Sequence, residues 1–221
     1  MNITPAQQDS IREVLWHNTK YRETFEEIYD HIITSIEHEP EGTREPHEVA
    51  QDIISNEFGG WEKLKELEKL RQTEVSSHIR AKQWQYFKEY FKAPLIVFTL
   101  LSAAVVYYMA SHVTRKPLFI IIYIMAMAPV GLWVKVAPFN PFSKKHKPSV
   151  KQGIAQSLCT IGMSIFNCLV FLPSVMMNDD QYKFFNQMHI SVLTVIAVLY
   201  IVLGLSIVKV FKEDLKILYT A

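Results

Sequence analysis

Apolar positions are spaced in two ways along the chain. Through residue 79 they recur at steps of three and four, the spacing that lines one face of an α-helix. Ile11, Val14 and Leu15 form such a face over residues 5–17, with Thr4 placed to cap the helix and Pro5 at its first position. Phe25, Ile28, Tyr29, Ile32, Ile33 and Ile36 form a stronger stripe over 20–39, ended by Pro40-Glu41-Gly42. Val49, Ala50, Ile53, Ile54 and Phe58 predict a third helix over 46–58, with Gly59-Gly60 as its stop. A Lys/Glu-rich helix starting at Trp61 keeps Leu64, Leu67 and Leu70 on one edge.

From residue 94 the pattern changes to long apolar runs at 94–111, 117–136, 154–172 and 189–211. A helix of roughly 17 to 25 mostly apolar residues crosses a bilayer. The expected fold is therefore an all-α membrane protein. A small acidic cytoplasmic helical domain (1–79) precedes a linker helix (80–92) and a four-helix transmembrane domain (93–221).

Charge sharpens this division. Residues 1–79 hold 17 acidic and 8 Lys or Arg side chains, a net of −9, whereas residues 80–221 hold 5 and 15, a net of +10. Within 80–92, Trp84, Phe87, Tyr90 and Phe91 alternate with Arg80, Lys82, Lys88 and Lys92, the texture of a helix at headgroup level. Lysines crowd the loop between the second and third runs and recur after the fourth. With the head inside, twelve basic residues lie on the inner side against three outside, Arg115, Lys116 and Lys183. The positive-inside rule then puts both termini in the cytoplasm of a multi-pass inner-membrane protein. The first ten residues are polar and lack an apolar signal core, so the first run is expected to direct insertion.

Candidate chemistry is sparse. No Asp, Glu, Lys or Arg stands mid-run, where a proton relay or ion path would need one. Gln156, Thr160, Ser164 and Asn167 share one side of the third run and are expected to act in intramembrane polar packing. Cys159 and Cys168 are nine residues apart on one helix and point to different faces, so no disulfide between them is expected and each is expected to be a small buried apolar side chain. Pro129 is expected to adapt the second helix structurally. In the head, His31 has Glu27 four residues back and Asp30 beside it, but only one carboxylate and the imidazole can share a helix face, too few for a zinc site, which needs at least three ligands. Glu27, Asp30, His31 and Trp61 are the candidate partner contacts. No nucleophile motif, phosphate-cradling loop or metal motif is present, so neither an enzyme nor a cofactor is expected. The head's acidity argues against direct nucleic-acid binding.

Two stretches carry a resemblance: Phe25-Glu26-Glu27-Ile28-Tyr29-Asp30-His31-Ile32, and Glu48-Val49-Ala50 through Phe58-Gly59-Gly60. They resemble bacterial regulatory membrane proteins with an N-terminal HAAS-like helical domain, often associated with a PadR-like transcription regulator. The layout, with Trp61–70 and the YFKEYFKAP segment ending at Pro94, also looks like membrane proteins of the Bacteroidetes type. That resemblance implies a membrane-anchored regulator or scaffold whose head binds a cytoplasmic protein; the alternative is a small transport or channel component. The seam of Trp61, Leu64, Leu67 and Leu70 adds homo-oligomerisation as an expectation.

Overall fold

The computed structural model describes residues 3–40, 44–112, 115–136, 147–172 and 187–215. Among these the chain is all α-helical, with eight helices: α1 (Pro5–Asn18), α2 (Arg22–His38), α3 (Pro46–Asp52), α4 (Trp61–Glu89), α5 (Ile96–His112), α6 (Lys116–Val136), α7 (Val150–Phe166) and α8 (Ile190–Glu213). The third expected helix, 46–58, ends its regular course early. After Asp52 the backbone widens into a π-helical turn, Ile53–Glu57. A second such turn, Asn167–Phe171, follows α7.

The described residues form two compact units. One draws on Met1–Ser77 and Asn140–Gly153, the other on His78–Phe139 and Ile154–Ala221. The boundary expected at residue 79 thus falls inside a single helix, α4. The segment just ahead of α7, expected to belong with the membrane helices, joins the first unit.

That first unit is built on the predicted stripes. Leu15, Ile28, Ile32 and Ile36 are fully buried, and Val49, Ile53, Ile54 and Leu64 complete their core. The helix ends are set by local polar chemistry. Thr4 and Gln7 form a reciprocal capping box on α1, and Glu45 and Glu48 form another ahead of Pro46 on α3. Gly59 and Gly60 take φ of +71° and +91°, the left-handed backbone that turns the chain into α4. A side chain at Gly59 would also run into the Lys63 stem, its Cβ 2.5 Å from Cδ.

In the second unit, α8 packs against both α5 and α6. Its buried face, Leu193, Ala197 and Tyr200, meets Val106 and Ala110 of α5 and Leu118, Ile122 and Ala126 of α6. Phe166 of α7 wedges among the rings of Phe119, Tyr123 and Tyr200. The two ends of α8 fix its direction. Its start receives the Arg115 guanidinium on the Met188 carbonyl at 2.6 Å. Its finish meets the end of α4, where Lys82 pairs with Asp214, Tyr86 donates to Glu213 at 2.8 Å, and Lys209 pairs with Glu89 at 2.8 Å. Arg115 follows α5 and the α4 end precedes it, so α5 and α8 run antiparallel.

Among the described residues one helix, α8 with 24 residues, is long and apolar enough to cross a membrane. Ile96–His112 and Pro117–Gly131 are apolar but shorter. The third expected run is occupied by α7, whose 17 residues include Lys151, Gln152 and Gln156 and so are less uniformly apolar than α8. Pro129 lies inside α6, as expected; Cys159 and Cys168 are both free, but only Cys159 is buried as expected, Cys168 being exposed on the π-helical turn after α7.

Candidate functional site

A cavity of about 350 Å³ in the head is framed by α1, α3 and the turn into α4. Leu15, Ile32 and Ile54 form its floor, and Val14 and Trp61 stand at its edge with His47. Val14 is 38% exposed although it belongs to the apolar stripe of α1, and Trp61 is half-buried against the core. At the cavity α3 gives way to a π-helical turn. The widened backbone buries Ile53 and Ile54 and leaves Ser55 exposed at the rim. An apolar floor with a few polar rim groups suits an inserted apolar side chain.

The four residues expected to contact a partner are divided by the fold. Trp61 lines this cavity. Glu27, Asp30 and His31 are exposed on α2, and two of them have partners within the chain. Glu27 accepts from Arg71 at 2.8 Å, joining α2 to α4. His31 Nε2 lies 2.7 Å from the Glu57 carboxylate and its ring meets Phe58 edge-on. Glu27 and His31 thus tie α2 to its neighbours. Among the described residues no three His, Cys, Asp or Glu side chains are grouped to hold a metal ion.

Sequence reasoning missed a second constellation, built on Lys147. Counted in sequence as one more loop lysine, it is only 8% exposed. Its ammonium donates to both the carbonyl and the hydroxyl of Thr19, and lies 5.0 Å from the centre of the Trp16 ring and 5.8 Å from that of Phe25. Two acceptors and two aromatic faces replace much of its lost water. Burial nonetheless pulls its pKa below the usual lysine value, with the charge of Glu68 acting in the other direction.

The residues after it are fastened as well. Arg22 N–H donates to the Pro148 carbonyl at 3.2 Å, Ser149 Oγ donates to Glu23, and Val150 N–H donates to the same carboxylate at 3.2 Å. Buried Glu68 accepts from the backbone N–H groups of Lys20 and Tyr21, the two residues just ahead of α2. One signal was legible: Ser149 and Gln152 have capping-box spacing, and Ser149 N–H does donate to Gln152 at 2.9 Å.

The row Gln156, Thr160, Ser164 and Asn167 lies on one side of α7, as the periodicity requires, and all four residues are exposed. Thr160 returns its hydroxyl proton to the Ser157 carbonyl at 2.9 Å. The packed face of α7 is instead Leu158, Cys159, Gly162 and Phe166.

Searches of protein-family models, curated proteins and solved structures found no match to this chain.

Proposed function

We propose that the chain is a membrane-anchored regulatory or scaffold protein whose cytoplasmic head binds a protein partner through the cavity beside Trp61. The observation carrying this reading is that cavity: an apolar floor opening beside a half-exposed Val14, on a domain whose net charge is strongly negative. A partner segment offering one bulky apolar side chain flanked by basic residues matches both features. The resemblance implies a transcription regulator as the partner class.

The membrane part of the proposal is four crossings with both termini in the cytoplasm. Three observations support it. α8 is long enough to cross, and the outer faces of α5 and α6 carry exposed Val97, Leu100, Leu101, Ile120 and Ile124. The antiparallel course of α5 and α8 returns the chain to the end where it started. Arg115, the side chain that fits the positive-inside count least well, is held at the start of α8 by the Met188 carbonyl. The linker lies in the second half of α4, where Trp84 is exposed, stacks on Phe87 at 5.1 Å and is covered by the Lys88 ammonium, an arrangement suited to headgroups.

The test is capture from detergent-solubilised membranes, comparing the wild-type chain with Val14→Asp. This substitution puts a carboxylate at the cavity mouth while leaving the buried floor unchanged. A partner present with wild type and absent with the variant is expected, with circular dichroism showing equal helix content. Identical partner lists would sink the reading. The row on α7 faces outward, so within one copy it gives no support to a polar path between the helices.

A further inference from the structure

The outer faces of the second unit are not alike. On α5 the exposed side chains include Val97, Leu100, Leu101 and Val105, and on α8 they include Val192, Val195 and Leu199. All of these are good neighbours for acyl chains. On α7 and the π-helical turn after it, a polar row of Gln156, Thr160, Ser164, Asn167 and Cys168 is exposed, flanked by exposed Ile165, Phe171 and Leu172. Carboxamides facing hydrocarbon lose their water partners without replacement, a cost the other helices avoid.

We infer that this face of α7 is the contact between two copies of the chain, packed about a two-fold axis along the membrane normal. The inference rests on the membrane-spanning reading above. Insertion gives every copy the same orientation and depth, so a two-fold contact sets each α7 position beside its own equivalent. Identical charges would then repel. Carboxamides and hydroxyls instead carry both donors and acceptors and satisfy one another as like pairs. The row contains only such neutral groups, beside a thiol. Thr160 and Ser164 are also small enough for the helices to approach closely between the amides. An unrelated partner would need no such self-complementary row.

The chain has only two cysteines, which makes the test clean. In a Cys159→Ser, Cys168→Ser background, Ser164→Cys is expressed in membranes and oxidised with oxygen and copper–phenanthroline. Leu100→Cys on the outer face of α5 serves as the control. A disulfide-linked dimer at position 164 and none at 100 is the expected result, since a disulfide needs Cα atoms within about 7 Å. Adding Gln156→Leu and Asn167→Leu should lower the linked fraction about tenfold. Equal linking at 100, or linking at 164 unaffected by the two leucines, overturns the interface. Alkaline carbonate extraction separates the two readings: release from the membrane sinks the membrane reading and the interface with it. Retention without linking at 164 sinks the interface alone.

Discussion

In the head, helices meet through branched side chains such as Ile28, Ile32 and Ile36, and charged groups are drawn in at helix ends: Glu68 just ahead of α2, Glu23 on α7 and Lys147 on the end of α1. In the second unit, α6 also meets its neighbours through backbone. Gly204 of α8 comes so close that an added Cβ would stand 3.3 Å from the Met125 carbonyl, and Gly162 of α7 would be 3.4 Å from that of Ala126. Cys159 gives its thiol proton to the Pro129 carbonyl. The contrast fits two solvents. Water drives bulky apolar side chains together and leaves ions affordable near the surface. Hydrocarbon gives no such drive, so close backbone approach and short polar contacts carry more of the association.

If that contrast is right, the largest effect comes from the head core. Ile36→Ala removes a side chain with no exposed surface and should cost about 2–5 kcal/mol. Leu100→Ala, on the outside of α5, should stay within about 0.5 kcal/mol. Denaturant titration of the full chain in detergent, followed by tryptophan fluorescence and circular dichroism, compares them; similar losses would break the contrast.

Next comes Lys147→Met, which keeps an apolar stem but gives up both bonds to Thr19. A loss of about 1–3 kcal/mol is expected in the same titration, with faster protease cutting near residue 147. A neutral result would mean the buried ammonium is no better than a hydrophobic filler.

Glycines sharpen the other side. Gly204→Ala should destabilise by about 1–3 kcal/mol through overpacking. Gly131→Ala, with nothing within 4 Å of the new methyl, should be neutral or gain up to about 1 kcal/mol from helix propensity. Thermal melts in detergent separate the two.

The smallest effect is at Arg44, whose guanidinium grips both oxygens of Glu39 at 2.9 and 3.0 Å and also reaches Asp52. Its hydrogen bonds hold the Glu39 carboxyl below the usual range. Because the folded value is the lower one, this contribution is present above the unfolded glutamate pKa and fades as pH falls through the folded value. Arg44→Ala should move the Glu39 carboxyl resonance in an NMR titration back toward the ordinary midpoint and remove that acid-side dependence.

The sequence revealed helices wherever a stripe had to be buried, because periodicity along the chain is local information. It also revealed the side of α7 on which the amides lie. It did not reveal that this side faces outward, because that depends on which face the α6 and α8 backbones can approach. Glu68 accepts from backbone N–H groups 47 and 48 residues away, and Lys147 reaches Thr19 across 128 positions. Neither is written in local spacing, and a lysine in a lysine-rich loop reads as solvated. The π-helical turn at the cavity stayed hidden because it follows from packing that propensity does not encode.

Pro129 of α6 and Gly204 of α8 converge on one backbone group, the Met125 carbonyl. A proline has no N–H, so the Met125 carbonyl four residues back loses the donor its own helix would have supplied. Gly204, the residue without a side chain, is the one seated against that carbonyl. Each would be a flaw alone, a missing rung in α6 and a bare position in α8. Together they work as a notch and key that index one helix along the other. A slide of α8 by one turn would bring Tyr200 or Val208, which share the glycine's side of the helix, onto the carbonyl in its place, so the pair selects one alignment out of many that oily surfaces would otherwise tolerate equally.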